Sequence, residues 1–176
     1  MAIWVWIVIA ALVIVGIPAL IVGVGIARSH ATTRRLRDHY GREYERLLSQ
    51  TGSAKAANRE LAGRERQRDK LDIVPLTPDA RTNFTNGWHE VQASFVDNPA
   101  SAVNAADRLV TEVMRERGYP VDDFDRRAAD ISVDHPEIVD DYRAAHTTSV
   151  SDEEVSTEQQ RDAFVHYRAL FDKLLA

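Results

Sequence analysis

Hydrophobic positions follow three regimes along this chain. From Ala2 to Ala27, "AIWVWIVIAALVIVGIPALIVGVGIA", 26 consecutive positions carry no ionisable side chain. From Arg28 to Lys70 the apolar residues thin to a narrow helical stripe of Leu36, Tyr40, Tyr44, Leu47 and Leu48. Ala54, Ala57 and Leu61 resume it beyond a break at Thr51-Gly52-Ser53. From Thr77 to the end, apolar residues recur every three or four positions, the period of helices with one buried face.

The first regime predicts a membrane helix. About 20 apolar residues cross a ~30 Å hydrocarbon layer, so this run spans it with some tilt. Pro18 removes one helical hydrogen bond, which a membrane span tolerates, and Trp4 and Trp6 suit an interfacial belt. A signal peptide has a positive n-region and an apolar stretch of about 7–15 residues; here the first is missing and the second exceeded, although Ser29-His30-Ala31 would suit cleavage. Arg28, Arg34, Arg35, Arg37 and Arg42 crowd the C-terminal flank. The positive-inside rule therefore puts the N-terminus outside the cell membrane and the remainder in the cytoplasm. Ala19, Gly23 and Ala27 fall on one stripe of small residues, a face on which a second copy could pack as a homodimer.

Punctuation in the third regime predicts five helices. Thr77-Pro78 reads as N-cap and N1 before Phe84, Trp88, Val91 and Phe95, and Asn98-Pro99 opens the next helix, with Gly118 as its C′ residue. Asp122 opens a short third helix with Phe124, Ala128 and Ile131, and His135-Pro136 a fourth with Ile138, Val139, Tyr142 and Ala145. After a polar link, Thr147 to Val155, Ser156 and Gln159 form a capping-box pattern before Phe164, Tyr167, Leu170, Phe171 and Leu174. Only Leu71 to Leu76 is short and apolar enough to resemble a strand. The expected architecture is all-α: a transmembrane helix (1–27), a basic juxtamembrane stem and linker (28–76), and a compact bundle of about five short helices (77–176).

Charge sharpens this division. Residues 28–70 hold twelve Lys and Arg against six Asp and Glu, whereas residues 71–176 hold ten against 21. The first part of the stem belongs near anionic headgroups. Asn58 to Lys70, with almost nothing apolar to bury, reads as a solvated spacer helix. An acidic domain is ill suited to nucleic acid, whose binding rests on cations. A basic protein partner, or the stem itself, would dock on it. With no cysteine, disulfides, thiol nucleophiles and Cys-type metal sites are excluded.

The densest candidate chemistry is "VDDFDRRAADISVDHPEIVDDY", Val121 to Tyr142, with eight carboxylates and one histidine. Helix starts account for many of them, because the first turn favours anions by about 0.3–1 kcal/mol each: Asp122, Asp123 and Asp125 at the third start, Asp134 and Glu137 at the fourth. Counting an EF-hand from Asp123 puts Arg127, Ala128 and Asp134 where the loop needs a ligand, glycine and glutamate. His135, His146 and His166 show no metal-ligand spacing, and neither a P-loop nor a serine elbow appears, so no cofactor or metal is implied.

Phe95 to His146, with "FVHYRALFDKLL" at the end, resembles an uncharacterised family of bacterial proteins with one N-terminal membrane helix, through "RGYP" and "SVDHP" above all. The resemblance implies an architecture and no reaction. The expected function is a membrane-anchored interaction or scaffold module. Its candidate surface is the junction of the third and fourth helices: Tyr119, Asp122, Asp123, Arg126, Arg127, Asp134, His135 and Arg143. The competing account of these residues is that they pair with one another to hold the junction, each exposed pair contributing under about 1 kcal/mol. A membrane-tethered enzyme with a polar pocket around His135 is the alternative function.

Overall fold

The computed structural model describes residues 30–151 and 154–176. The run read as a membrane helix, with its face of Ala19, Gly23 and Ala27, lies outside them. Among the described residues every regular element is helical, and none is long and apolar enough to cross a membrane.

The chain divides at His39 and Tyr40 into two units. The described part of the first is helical and belongs to α1, residues 30–40, on which exposed Arg34 and Asp38 approach to 3.9 Å across one turn. The second unit, Tyr40–Ala176, contains α2 (Arg42–Thr51), α3 (Ala54–Arg68), α4 (Pro78–Ser94), α5 (Pro99–Glu116), α6 (Phe124–Asp134), α7 (Val139–Ser149) and α8 (Thr157–Leu175).

Local chemistry sets most of these boundaries. Thr77 Oγ1 accepts the Ala80 N–H at 3.2 Å and Asn98 Oδ1 the Ser101 N–H at 3.0 Å, with Pro78 and Pro99 at the first helical positions. Ser156 and Gln159 close the anticipated capping box. The third helix starts one residue late: Asp123 is the N-cap, accepting the Arg126 N–H at 2.8 Å. His135-Pro136 does not start the fourth. Residues 136–138 form a turn and α7 begins at Val139, while its end takes in Thr147–Ser149 of the expected link. Leu71 to Leu76 pairs into no strand; Val74 N–H donates to Arg117 O at 2.9 Å.

The core forms where α5, α7 and α8 meet, with α4 against α5 and α6 against α7. Trp88 of α4 is buried between Phe164 and Phe171 of α8, ring centroids 5.1 and 4.7 Å away. Burying such a ring removes some 150–250 Å² from water, which makes α4 part of the core although only Trp88 on it is fully buried. The hairpin of α2 and α3 packs on α6 and α7. The stem from Tyr40 onward thus belongs to the same unit as the helical domain.

The turn after α5 is the tightest point of the frame. Tyr119 N–H bonds to Met114 O and Gly118 N–H to Arg115 O, both at 3.0 Å, a Schellman pattern with Gly118 at C′ and φ of 96°. A Cβ there would stand 2.5 Å from Asp72 O, in the linker leading to α4. Gly118→Ala is therefore expected to destabilise the full-length chain by about 1–3 kcal/mol, from strain and backbone displacement together. Denaturant unfolding checks this, and a loss below about 0.5 kcal/mol would contradict it.

Candidate functional site

The eight residues of the expected surface do not form one surface. Helix α6 is about 16 Å long at 1.5 Å per residue, and it separates them into two ends. Asp122, Asp123 and Arg126 are exposed at its start, whereas Tyr119, Asp134 and His135 gather at its end. Arg127 turns inward to donate to Thr111 Oγ1 of α5 at 2.8 Å, and Arg143 reaches α2.

Asp134 does not serve as a helix-start anion. It is the last residue of α6, accepts the buried Tyr119 hydroxyl at 2.6 Å, and is gripped by Arg68 Nε at 2.9 and 3.0 Å. Burial and that hydrogen bond to Asp134 both raise the Tyr119 pKa. Half-buried His135 is held below its ordinary pKa by desolvation, against the opposing pull of Glu137 and Asp134. Glu137 pairs with Lys173 of α8 at 3.1 Å.

The expected solvated spacer is instead a docking element, because Arg64 and Arg68 of α3 both reach α6. Arg64 converges with Arg46 and Arg143 on a group that the candidate surface omits. Glu43, in the first turn of α2, is fully buried and bound by three guanidinium groups. Arg46, one turn on, donates at 2.9 and 2.7 Å; Arg64 at 2.6 Å; and Arg143 of α7 at 2.6 and 3.0 Å. An outer ring of acceptors completes the set: Glu60 and Ser132 for Arg64, Asp140 for Arg143. Above it opens a cleft of about 590 Å³ lined by Arg46, Gln50, Thr51, Glu60, Arg64, Asp125 and Arg143, among others. Burial pushes the Glu43 carboxyl up, but its hydrogen bonds to Arg46, Arg143 and Arg64 outweigh that and hold it at about 2. A group so far below neutrality is a fixed charge rather than a general acid or base.

The signal for Glu43 is present in the sequence. It stands three residues after Tyr40 and four before Leu47, on the apolar stripe itself, where a carboxylate must find cations.

A second polar cluster joins α5, α6, α7 and α8. Asp107 accepts the Tyr167 hydroxyl at 2.9 Å and lies 3.5 Å from His146 Nδ1. Phe124 stacks on His146 with centroids 3.6 Å apart. Burial raises the Asp107 pKa, but His146 and Tyr167 more than offset this and hold it low. The sequence offers His146, with His135 and His166, as a junction or surface histidine in preference to a metal ligand; His166 lies 3.8 Å from Asp141. Among the described residues no three His, Asp or Glu side chains converge as metal ligands would.

The chain matches no protein-family model, no curated protein and no solved structure. Function therefore rests on the geometry of the chain itself.

Removing one partner of a buried ionic cluster leaves the others uncompensated, at a cost of about 3–5 kcal/mol. Glu43→Gln should lose about that much in denaturant unfolding of the full-length chain. Because the folded pKa of Glu43 lies below its ordinary 4.5, its contribution is complete above that pH and disappears as pH falls toward about 2. Acid unfolding curves should accordingly steepen in that window for the native chain and be flatter for Glu43→Gln. Equal slopes and a loss under about 1 kcal/mol would refute the clamp.

Proposed function

We propose that this chain is a single-pass membrane protein whose second unit, residues 40–176, acts on the cytoplasmic side as an interaction or scaffold module for a protein with a cationic surface. The observation that carries this reading is the Glu43 cluster. It fastens α2 and α3 to α6 and α7, so Arg46, Arg64 and Arg68 are paired inside the unit and α2 and α3 form one preorganised body with the helices that follow. Binding by such a body loses little conformational entropy, which favours a recognition role.

Charge supports the partner class. Residues 40–176 hold 18 Lys and Arg against 26 Asp and Glu, so the unit keeps a net charge of −8 with the stem cations included. That balance favours a basic partner over nucleic acid or an anionic lipid surface. The apolar run Ala2 to Ala27 and the arginines after it support the anchor and its orientation, and "RGYP" and "SVDHP" support kinship with the single-span bacterial family. The face of Ala19, Gly23 and Ala27 supports homodimerisation through the membrane. His135, on which the alternative of an enzyme rests, lines neither the cleft above Glu43 nor the one beside Asp107.

In membrane vesicles of the right-side-out orientation, a C-terminal tag on the full-length chain is expected to resist protease and to be digested once the vesicles are inverted. The chain should stay with the membrane through a high-salt wash, while proteins proximity-labelled from its C-terminus are cytoplasm-facing and enriched in basic surfaces. Digestion in the first orientation, or release by salt, would overturn the topology.

A further inference from the structure

Arg127 stands apart from the partly buried arginines of the unit. Only 8 % of it is exposed, yet among the described residues it makes no ion pair. Its Nη1 meets the neutral Thr111 hydroxyl at 2.8 Å, its guanidinium carbon lies 5.6 Å from the centre of the Phe124 ring, and its Nε has no hydrogen-bond partner. Arg46, Arg64, Arg68 and Arg143 all reach a carboxylate oxygen within 2.6–2.9 Å. Burying a cation without an anion is unfavourable by several kcal/mol, and neither an aromatic face nor one hydroxyl matches a carboxylate partner.

The unbalanced charge faces a cleft of about 350 Å³ lined by Asp107, Arg108, Thr111, Glu112, Arg115 and Arg127. Arg108, Thr111 and Arg115 occupy one face of α5 at spacings of three and four. Arg108 and Arg115 are exposed and form no ion pair among the described residues. Of the two acids, Asp107 is bonded by Tyr167 and acts on Arg127 through space without touching it, and Glu112 is solvated. The cleft is thus locally cationic in a unit that is acidic as a whole.

We propose that this cleft binds a tetrahedral oxyanion of the phosphate class, with Arg127 as its buried anchor, Arg108 and Arg115 as flanking forks, and Thr111 as a hydroxyl contact. Three guanidinium groups and a hydroxyl offer more donors than the two oxygens of one carboxylate use, whereas a phosphate group accepts on several faces and carries up to two charges. The site is independent of the interaction reading and of the membrane topology.

Inorganic phosphate is the probe. Thermal unfolding of the full-length chain should shift upward, saturably, at phosphate concentrations where sodium chloride of equal ionic strength does nothing. Succinate at equal ionic strength should bind about tenfold more weakly. Arg127→Met should abolish the phosphate shift while leaving the ligand-free protein as stable or more so, because a buried cation without a partner has been removed. The double variant Arg108→Gln/Arg115→Gln, changed only at exposed positions, should fold normally and weaken phosphate at least about tenfold. Equal shifts with phosphate and chloride, equal binding of succinate, or an unchanged phosphate response in either variant would overturn the site.

Discussion

The architecture of the second unit depends on one carboxylate being held out of water. Glu43 has no solvent to stabilise its charge, so its position is tolerable only while three guanidinium groups from α2, α3 and α7 close on it at hydrogen-bonding distance. Arg46 comes from the same helix and would be present in any conformation. Arg64 and Arg143 arrive only if the hairpin of α2 and α3 folds back onto α6 and α7. Few alternative dockings satisfy both, so the cluster specifies the register of stem on domain more strongly than the thin apolar stripe of Tyr40, Tyr44, Leu47, Ala57 and Leu61 would alone.

The same requirement explains how far the sequence could be read. Helices whose starts are written in local chemistry were legible: Thr77-Pro78, Asn98-Pro99 and Ser156 with Gln159 act within four residues of themselves, as does Gly118 at the end of α5. The roles of Arg64, Arg68 and Asp134 were not legible, because they are decided by pairings across more than sixty residues. A charge-rich helix exposed to water and one whose charges are each matched by a partner have the same composition. Asn58 to Lys70 therefore reads as a spacer until α6 is placed beside it. Asp134 fails in the same way, since a carboxylate next to His135-Pro136 suits a helix start and equally suits the Arg68 and Tyr119 that it meets. The candidate surface grouped side chains that are close in sequence, whereas α6 separates Asp123 from Asp134 by its whole length. Glu43 was the exception that could have been found, as a carboxylate on an apolar stripe.

Segregated charge also acts at the surface of the second unit. Arg42, in the basic stretch, lies 3.8 and 3.6 Å from Asp140 and Asp141 of the acidic domain. Such exposed pairs contribute little and are screened by salt, while the pairs around Glu43 are not.

Set beside Glu43, Arg127 poses the opposite problem within the same unit. One buried anion has three cations bonded to it, and one buried cation touches no anion among the described residues. The fold plainly can bring carboxylates to arginines, as Arg68 with Asp134 shows across sixty-six residues. Asp107 stands beside the same cleft but is turned to Tyr167 and His146 instead. A domain so rich in carboxylates that leaves one interior guanidinium to a hydroxyl and a ring face has kept that charge available, and a charge kept available at the base of an open cleft is matched most simply by an anion arriving from outside.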